Sequence, residues 1–175
     1  RARSAGNHRA GRHRLQALDV SHVPADLAVQ IAKESERVRY IKVESLPTPQ
    51  MVQETVAKAG GLLTVHGGAG GNYFIEEMRR GSVGTMPFCS QPEAFRAVWD
   101  LFQAGDEAGA TRVFFERILP VNRLGGLAGG ASYYHIHKEI LRRRGAIRTR
   151  VVRGPIAPLD DLVWREVDAV MDALY

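Results

Sequence analysis

The chain has 175 residues, 45% of them hydrophobic and 25% charged, with a formal charge of +5. Those proportions are those of an ordinary globular protein, and no run approaches the ~20 apolar residues that span a bilayer. One cysteine, Cys89, excludes an internal disulfide and fits a reducing compartment, so a cytoplasmic location is expected.

Residues 1–14 hold five arginines and no acid, and the remaining 19 basic residues balance the 19 acidic ones. The charge excess therefore belongs to this tail, and the rest of the chain is neutral. Residues 1–18 have no apolar period and are expected to be a disordered tail. No aromatics interleave the arginines, which argues against a nucleic-acid arm, and the apolar core of a signal peptide is missing. A truncated gene, or a frameshifted or misassigned start, is the expected origin of such a tail.

Val38 to Val43 reads as a buried strand. Ser45-Leu46-Pro47-Thr48-Pro49 follows as a loop into a helix, with Thr48 as the expected N-cap and Pro49 at the first helical position. Met51, Val52, Thr55 and Val56 recur at helical spacing, and Gly60-Gly61 stops the helix. Leu62 to His66 is a second short strand. The glycine-rich Gly67-Gly68-Ala69-Gly70-Gly71 comes next, then a helix over about 72–80. Val83 to Phe88 is a third strand. Strand, loop and helix in repetition are the pattern of βα units on a parallel sheet.

The C-terminal third reads as helices. Phe95, Val98, Trp99 and Phe102 form one apolar stripe. Ala110, Val113, Phe114 and Ile118 form another, capped by Asp106 and expected to end at Pro120. Gly125 to Gly130 reads as a linker or tight turn. Tyr133 to Arg144 is a helix with a basic end, which suits its dipole. Val163, Val167, Val170, Met171 and Leu174 line the last helix. Such stripes are core faces rather than cofactor boxes.

The chemically distinctive residue is Lys42, an ammonium in an otherwise apolar strand. Two readings fit it: a lysine snorkelling to solvent at the strand end, or an amine nucleophile whose neutral form attacks a ketone. Glu44 falls on the same side of the strand; it would orient or protonate near the lysine, or simply pair with it. The glycines at 67–71 resemble a phosphate cradle, yet no Walker lysine or dinucleotide fingerprint accompanies them. His135 and His137 face differently on a helix and His66 stands apart, so no metal is expected. Cys89 is expected to be a small buried packing residue.

Four segments together resemble the C-terminal part of the dihydrodipicolinate synthase and N-acetylneuraminate lyase family. Tyr40-Ile41-Lys42-Val43-Glu44 is similar to the strand-six segment bearing that family's Schiff-base lysine. His66-Gly67-Gly68 is similar to the turn after strand seven, and Arg80 to Met86 to the approach to strand eight. Lys138 to Leu141, Arg144 to Ile147, Val152 to Pro155 and Pro158-Leu159 resemble the C-terminal helical segment. The resemblance runs from about Val20 to Tyr175.

The resemblance implies an α/β fold: a partial TIM (β/α)8 barrel, strands six to eight, followed by a C-terminal helical segment. Residues 19–90 would be the barrel part and 91–175 the helical segment. It implies a lyase acting on pyruvate or a related 2-oxo acid, by aldol cleavage, condensation or dehydration. Lys42 would form the Schiff base, while Gly67, Gly68 and Met86 would border the substrate. No cofactor or metal is implied, and neither nucleic acid nor membrane; homo-oligomers are implied for the full-length family. A complete barrel needs about 250 residues, so the early strands, the carboxylate-binding hydroxyls and the catalytic tyrosine have no counterpart here. Little imine formation is therefore expected of this chain as it stands. The alternative is an inactive remnant, or an oligomerisation or interaction module of the same fold.

Overall fold

A computed structural model describes residues 23–129 and 132–175. The arginine-rich segment 1–18 and the end of the glycine stretch at Gly130 lie outside the described residues.

The first element is a helix that the sequence reading passed over, α1 (Ala25–Glu34). Its signals are small: Ala25, Ala28 and Ala32 are buried at helical spacing, with Asp26 in the first turn and Lys33 in the last. Ala28 and Ala32 pack against Ala59 and Leu63, where only small side chains allow close approach.

Strand β1 (Tyr40–Lys42) pairs in parallel with β2 (Thr64–His66), with Tyr40 opposite Thr64 and Lys42 opposite His66. Helix α2 (Thr48–Ala59) connects them, as a parallel pair requires. Pro47, not Thr48, precedes its first turn; Thr48 is the first helical residue, and its hydroxyl is buried rather than capping. Gly60 ends α2 in the left-handed region, at φ 53°. Both strands are shorter than the apolar runs that encode them.

The third expected strand, 83–88, forms one bridge only, Gly67 to Thr85. The backbone of 83–86 still lies along β2: Val83 N donates to Val65 O (3.0 Å), Gly67 N to Gly84 O (2.9 Å) and Met86 N to Gly67 O (3.1 Å). Pro87 has no N–H to extend the ladder, which ends it there.

Between β2 and this segment lie a tight 3-10 turn, Ala69–Gly71, and a short helix α3 (Phe74–Met78), less than the 72–80 expected. Helices α4 (Pro92–Gln103) and α5 (Glu107–Val113) follow, and the Asp106 carboxylate caps α5 by accepting from Gly109 N at 2.8 Å. Pro120 does not end this helix. The chain widens into a π turn, Phe114–Ile118, and continues as α6 (Leu119–Gly125) with Pro120 in its first turn. A widened turn before the proline relieves the clash and the missing N–H that would break a regular helix. Helices α7 (Ser132–Arg143) and α8 (Asp161–Leu174) complete the chain.

Three cores result. Val43, Val52 and Val65 seal α2 onto the sheet. Phe74, Phe95, Val98, Phe114 and Ile118 join α3, α4 and the π turn. Val121, Ile136, Ile140, Val167 and Met171 join α6, α7 and α8. Cys89 is exposed, against expectation, on the irregular segment between the last bridge and α4, where its neighbours Ser90 and Gln91 take the buried positions.

Candidate active site

Side chains alternate across β1. Ile41 and Val43 pack with Val52 of α2, so Lys42 and Glu44 stand on the opposite face, away from the helices. Lys42 is the last residue of its strand, and the following carboxylate captures it: Nζ to Glu44 Oε2 is 2.8 Å, with the lysine side chain 34% exposed.

The glycine turn closes over this pair. Glu44 Oε1 accepts from Ala69 N at 3.1 Å. A Cβ on Gly68 would lie 2.8 Å from Lys42 Cε and 2.8 Å from Val43 O, so only glycine lets the turn approach so closely. Ala69 (φ 48°), Gly70 (φ 67°) and Gly71 (φ 75°) are all left-handed, and Ala69 is the only non-glycine so placed among the described residues. Met86 is 44% exposed and hydrogen-bonds through its N–H to Gly67 O. Lys42, Gly67, Gly68 and Met86 therefore meet at one end of the sheet, the end where its parallel strands terminate.

Sequence reasoning missed the groups behind this turn. Glu77 of α3 is completely buried, and neither carboxylate oxygen has a hydrogen-bond partner. Burial pushes its carboxyl up to about 7, opposed by the nearby Thr48 hydroxyl. Asn122 of α6 donates to Gly70 O (3.0 Å) and to Asn72 Oδ1 (2.9 Å), and Asn72 Nδ2 donates to Ala69 O (2.7 Å). Nothing in the sequence marks Asn122, because it acts on backbone 52 residues away in the chain.

The histidines occupy three separate surroundings. His66 opposes Lys42 in the sheet register with its Nδ1 buried and unpartnered. His135 Nε2 meets Ala157 O, whereas His137 is buried against Phe88 with its Nδ1 2.6 Å from Ser90 Oγ. Burial lowers His137 to about 4. Among the described residues no three His, Cys, Asp or Glu side chains cluster to hold a metal ion. No described helix is long and apolar enough to cross a membrane.

Parallel strands joined by a helix, with polar side chains gathered where the strands end, make the first half of the chain a partial α/β unit. No family model matches the sequence, and no curated protein matches it. Solved structures do. Dihydrodipicolinate synthase from Rhodopseudomonas palustris superposes with a TM-score of 0.77 at 26% identity, over 87% of this chain and 51% of that one. Dihydrodipicolinate synthase from Aquifex aeolicus gives 0.74 at 16% identity, over 86% and 50%. A prophage protein of the same family from E. coli K12, solved in complex with pyruvate, gives 0.73 at 16% identity, over 85% and 50%. What the chain is similar to is thus the dihydrodipicolinate synthase family, matched over its C-terminal portion. The chain spans about half the length of these structures.

Proposed function

We propose that this chain carries the imine-forming portion of a dihydrodipicolinate synthase-type lyase, with Lys42 as the nucleophile and a small 2-oxo acid as substrate. In this reading residues 40–42, 64–66 and 83–86 correspond to barrel strands six, seven and eight. The observation that carries it is the position of Lys42: last in a parallel strand, facing away from the helices, with Gly68 against its Cε. The pyruvate bound to the E. coli family member supports the substrate class.

Lys42 gives its ammonium proton to water before it attacks, while Glu44 Oε2, 2.8 Å from Nζ, orients it. The freed amine attacks the ketone carbon of the 2-oxo acid, and the carbonyl oxygen leaves as water. The resulting iminium draws electrons from the adjacent carbon and stabilises the carbanion of C–C cleavage, condensation or dehydration. Gly67, Gly68 and Met86 border the bound acid, where the backbone approaches closely because neither glycine has a side chain.

Incubation with pyruvate and borohydride, followed by peptide mass analysis, tests this. Weak labelling confined to Lys42, and absent from Lys42→Ala, is expected. Labelling spread over Lys33, Lys58 and Lys138 would reduce the chain to an inactive relative of the same fold.

A further inference from the structure

We propose that Asn122, in the helical segment, is a positioning residue for Lys42, acting through the glycine turn. The proposal rests on the reading of Lys42 as the imine-forming amine.

An unbroken chain of polar contacts joins the two residues. Asn122 is buried, and its amide nitrogen spends both hydrogens on the turn, one on Gly70 O (3.0 Å) and one on Asn72 Oδ1 (2.9 Å). Asn72 Nδ2 then donates to Ala69 O (2.7 Å). On the other side of the same residue, Ala69 N donates to Glu44 Oε1 (3.1 Å), and Glu44 Oε2 holds Lys42 Nζ (2.8 Å). The amide orientations are mutually consistent: every nitrogen meets an acceptor and no oxygen meets an oxygen.

Ala69 is the reason this chain of contacts has to act. It sits at φ 48°, a conformation that a residue with a Cβ adopts only when its surroundings hold it there. The restraint comes from both sides, Glu44 on its N–H and Asn72 on its C=O. Without Asn122, Asn72 loses the partner that orients its amide, and Gly70 O loses its donor. Ala69 can then relax, and the carboxylate that pins Lys42 moves with it. Gly68, packed on Lys42 Cε, carries the same displacement to the lysine stem. Asn122 bonds to the turn and not to the lysine, so its effect is on where the amine points.

Trace acetylation of the full chain with acetic anhydride, read at each lysine by peptide mass analysis, measures this without any substrate. An amine pinned by a carboxylate and walled by Gly68 is screened from the reagent. In Asn122→Asp, which keeps the shape and loses both donors, acetylation of Lys42 relative to Lys138 should rise about threefold or more. Glu44→Gln should produce the same rise. Leu124→Ala, a core change on the same helix outside the contact chain, should leave the ratio unchanged. An Asn122→Asp ratio no larger than that of Leu124→Ala would overturn the proposal. If circular dichroism shows Asn122→Asp to be unfolded, Asn72→Ala interrupts the same chain at a half-exposed position and is judged by the same threshold. Wild-type protein that takes up no pyruvate, yet shows the Asn122-dependent ratio, would remove the imine reading and leave the positioning role standing.

Discussion

The Glu77 carboxylate stands where a side chain on Gly67 would have to go. A Cβ built on Gly67 would lie 2.5 Å from Glu77 Cδ and closer still to Oε2. The turn thus requires glycine twice, at Gly67 because of Glu77 behind it and at Gly68 because of Lys42 and Val43 in front.

Gly67→Ala should therefore destabilise the protein by about 2 kcal/mol, the cost of forcing a methyl into a filled site. Glu77 is fully buried, so it cannot give way without disturbing its neighbours. Removing the obstacle in Gly67→Ala/Glu77→Ala should restore part of that loss. Denaturant midpoints of the two single variants and the double variant test it, and strictly additive losses would contradict the contact.

The pH dependence of stability should show two opposed contributions. Glu77 is raised to about 7 in the fold, so between its ordinary value of 4.5 and about 7 the native state holds a proton that the unfolded chain releases. Stability from this group falls across that window, by up to about 3 kcal/mol, and the loss is complete above it. His137 is lowered to about 4, so between about 4 and its ordinary 6.5 the unfolded chain binds the extra proton. Stability from His137 therefore rises across that window and is fully present above it. The slopes nearly cancel in the wild type around pH 5–6. Glu77→Gln should expose the rising limb and His137→Gln the falling one. A Glu77→Gln profile with the wild-type slope would refute the assignment.

Acid should release the α7–α8 contact last. Glu139 is 1% exposed and binds Arg142 (2.7 Å) and Arg143 (2.8 Å), the latter reaching across to Asp168. The Arg142 hydrogen bond leads in lowering its carboxyl to about 2, with Arg143 adding to it. Its folded value lies below the unfolded one, so this stabilisation is present above pH 4.5 and disappears as pH falls through about 2. With the arginines partly solvated it amounts to about 2 kcal/mol. Glu139→Gln should shift the acid midpoint upward, as read by circular dichroism at 222 nm.

Association is expected of the 175-residue polypeptide. Tyr40 (68% exposed), Leu46 (72%) and Met86 (44%) stand on or beside the sheet, and among the described residues no further strand pairs the outer edge of β1. An open edge and exposed apolar groups recruit a partner chain. On gel filtration the protein should elute ahead of a 19.3 kDa monomer. A sharp monomer peak with a cooperative melt would show the face to be self-sufficient.

Local patterns were legible in the sequence because they depend on near neighbours. The apolar runs around Ile41 and Val65, the glycine stop at Gly60, the Asp106 cap and the stripes of α4 and α8 each follow from residues within a few turns of one another. Lys42 was recognisable for the same reason, as a charge in an apolar strand, and Glu44 followed from the period of two. The helix α1 was missed because alanines spaced three and four apart carry little hydrophobic signal, and Pro120 misled because a π turn, invisible in composition, accommodates it. Only the tertiary structure placed Gly68 on the Lys42 stem, Glu77 behind Gly67, and Asn122 on the turn from another helix. Those contacts join residues distant in the chain, and they depend on how backbones approach after packing. Periodicity registers which face a residue takes, but not what stands opposite it.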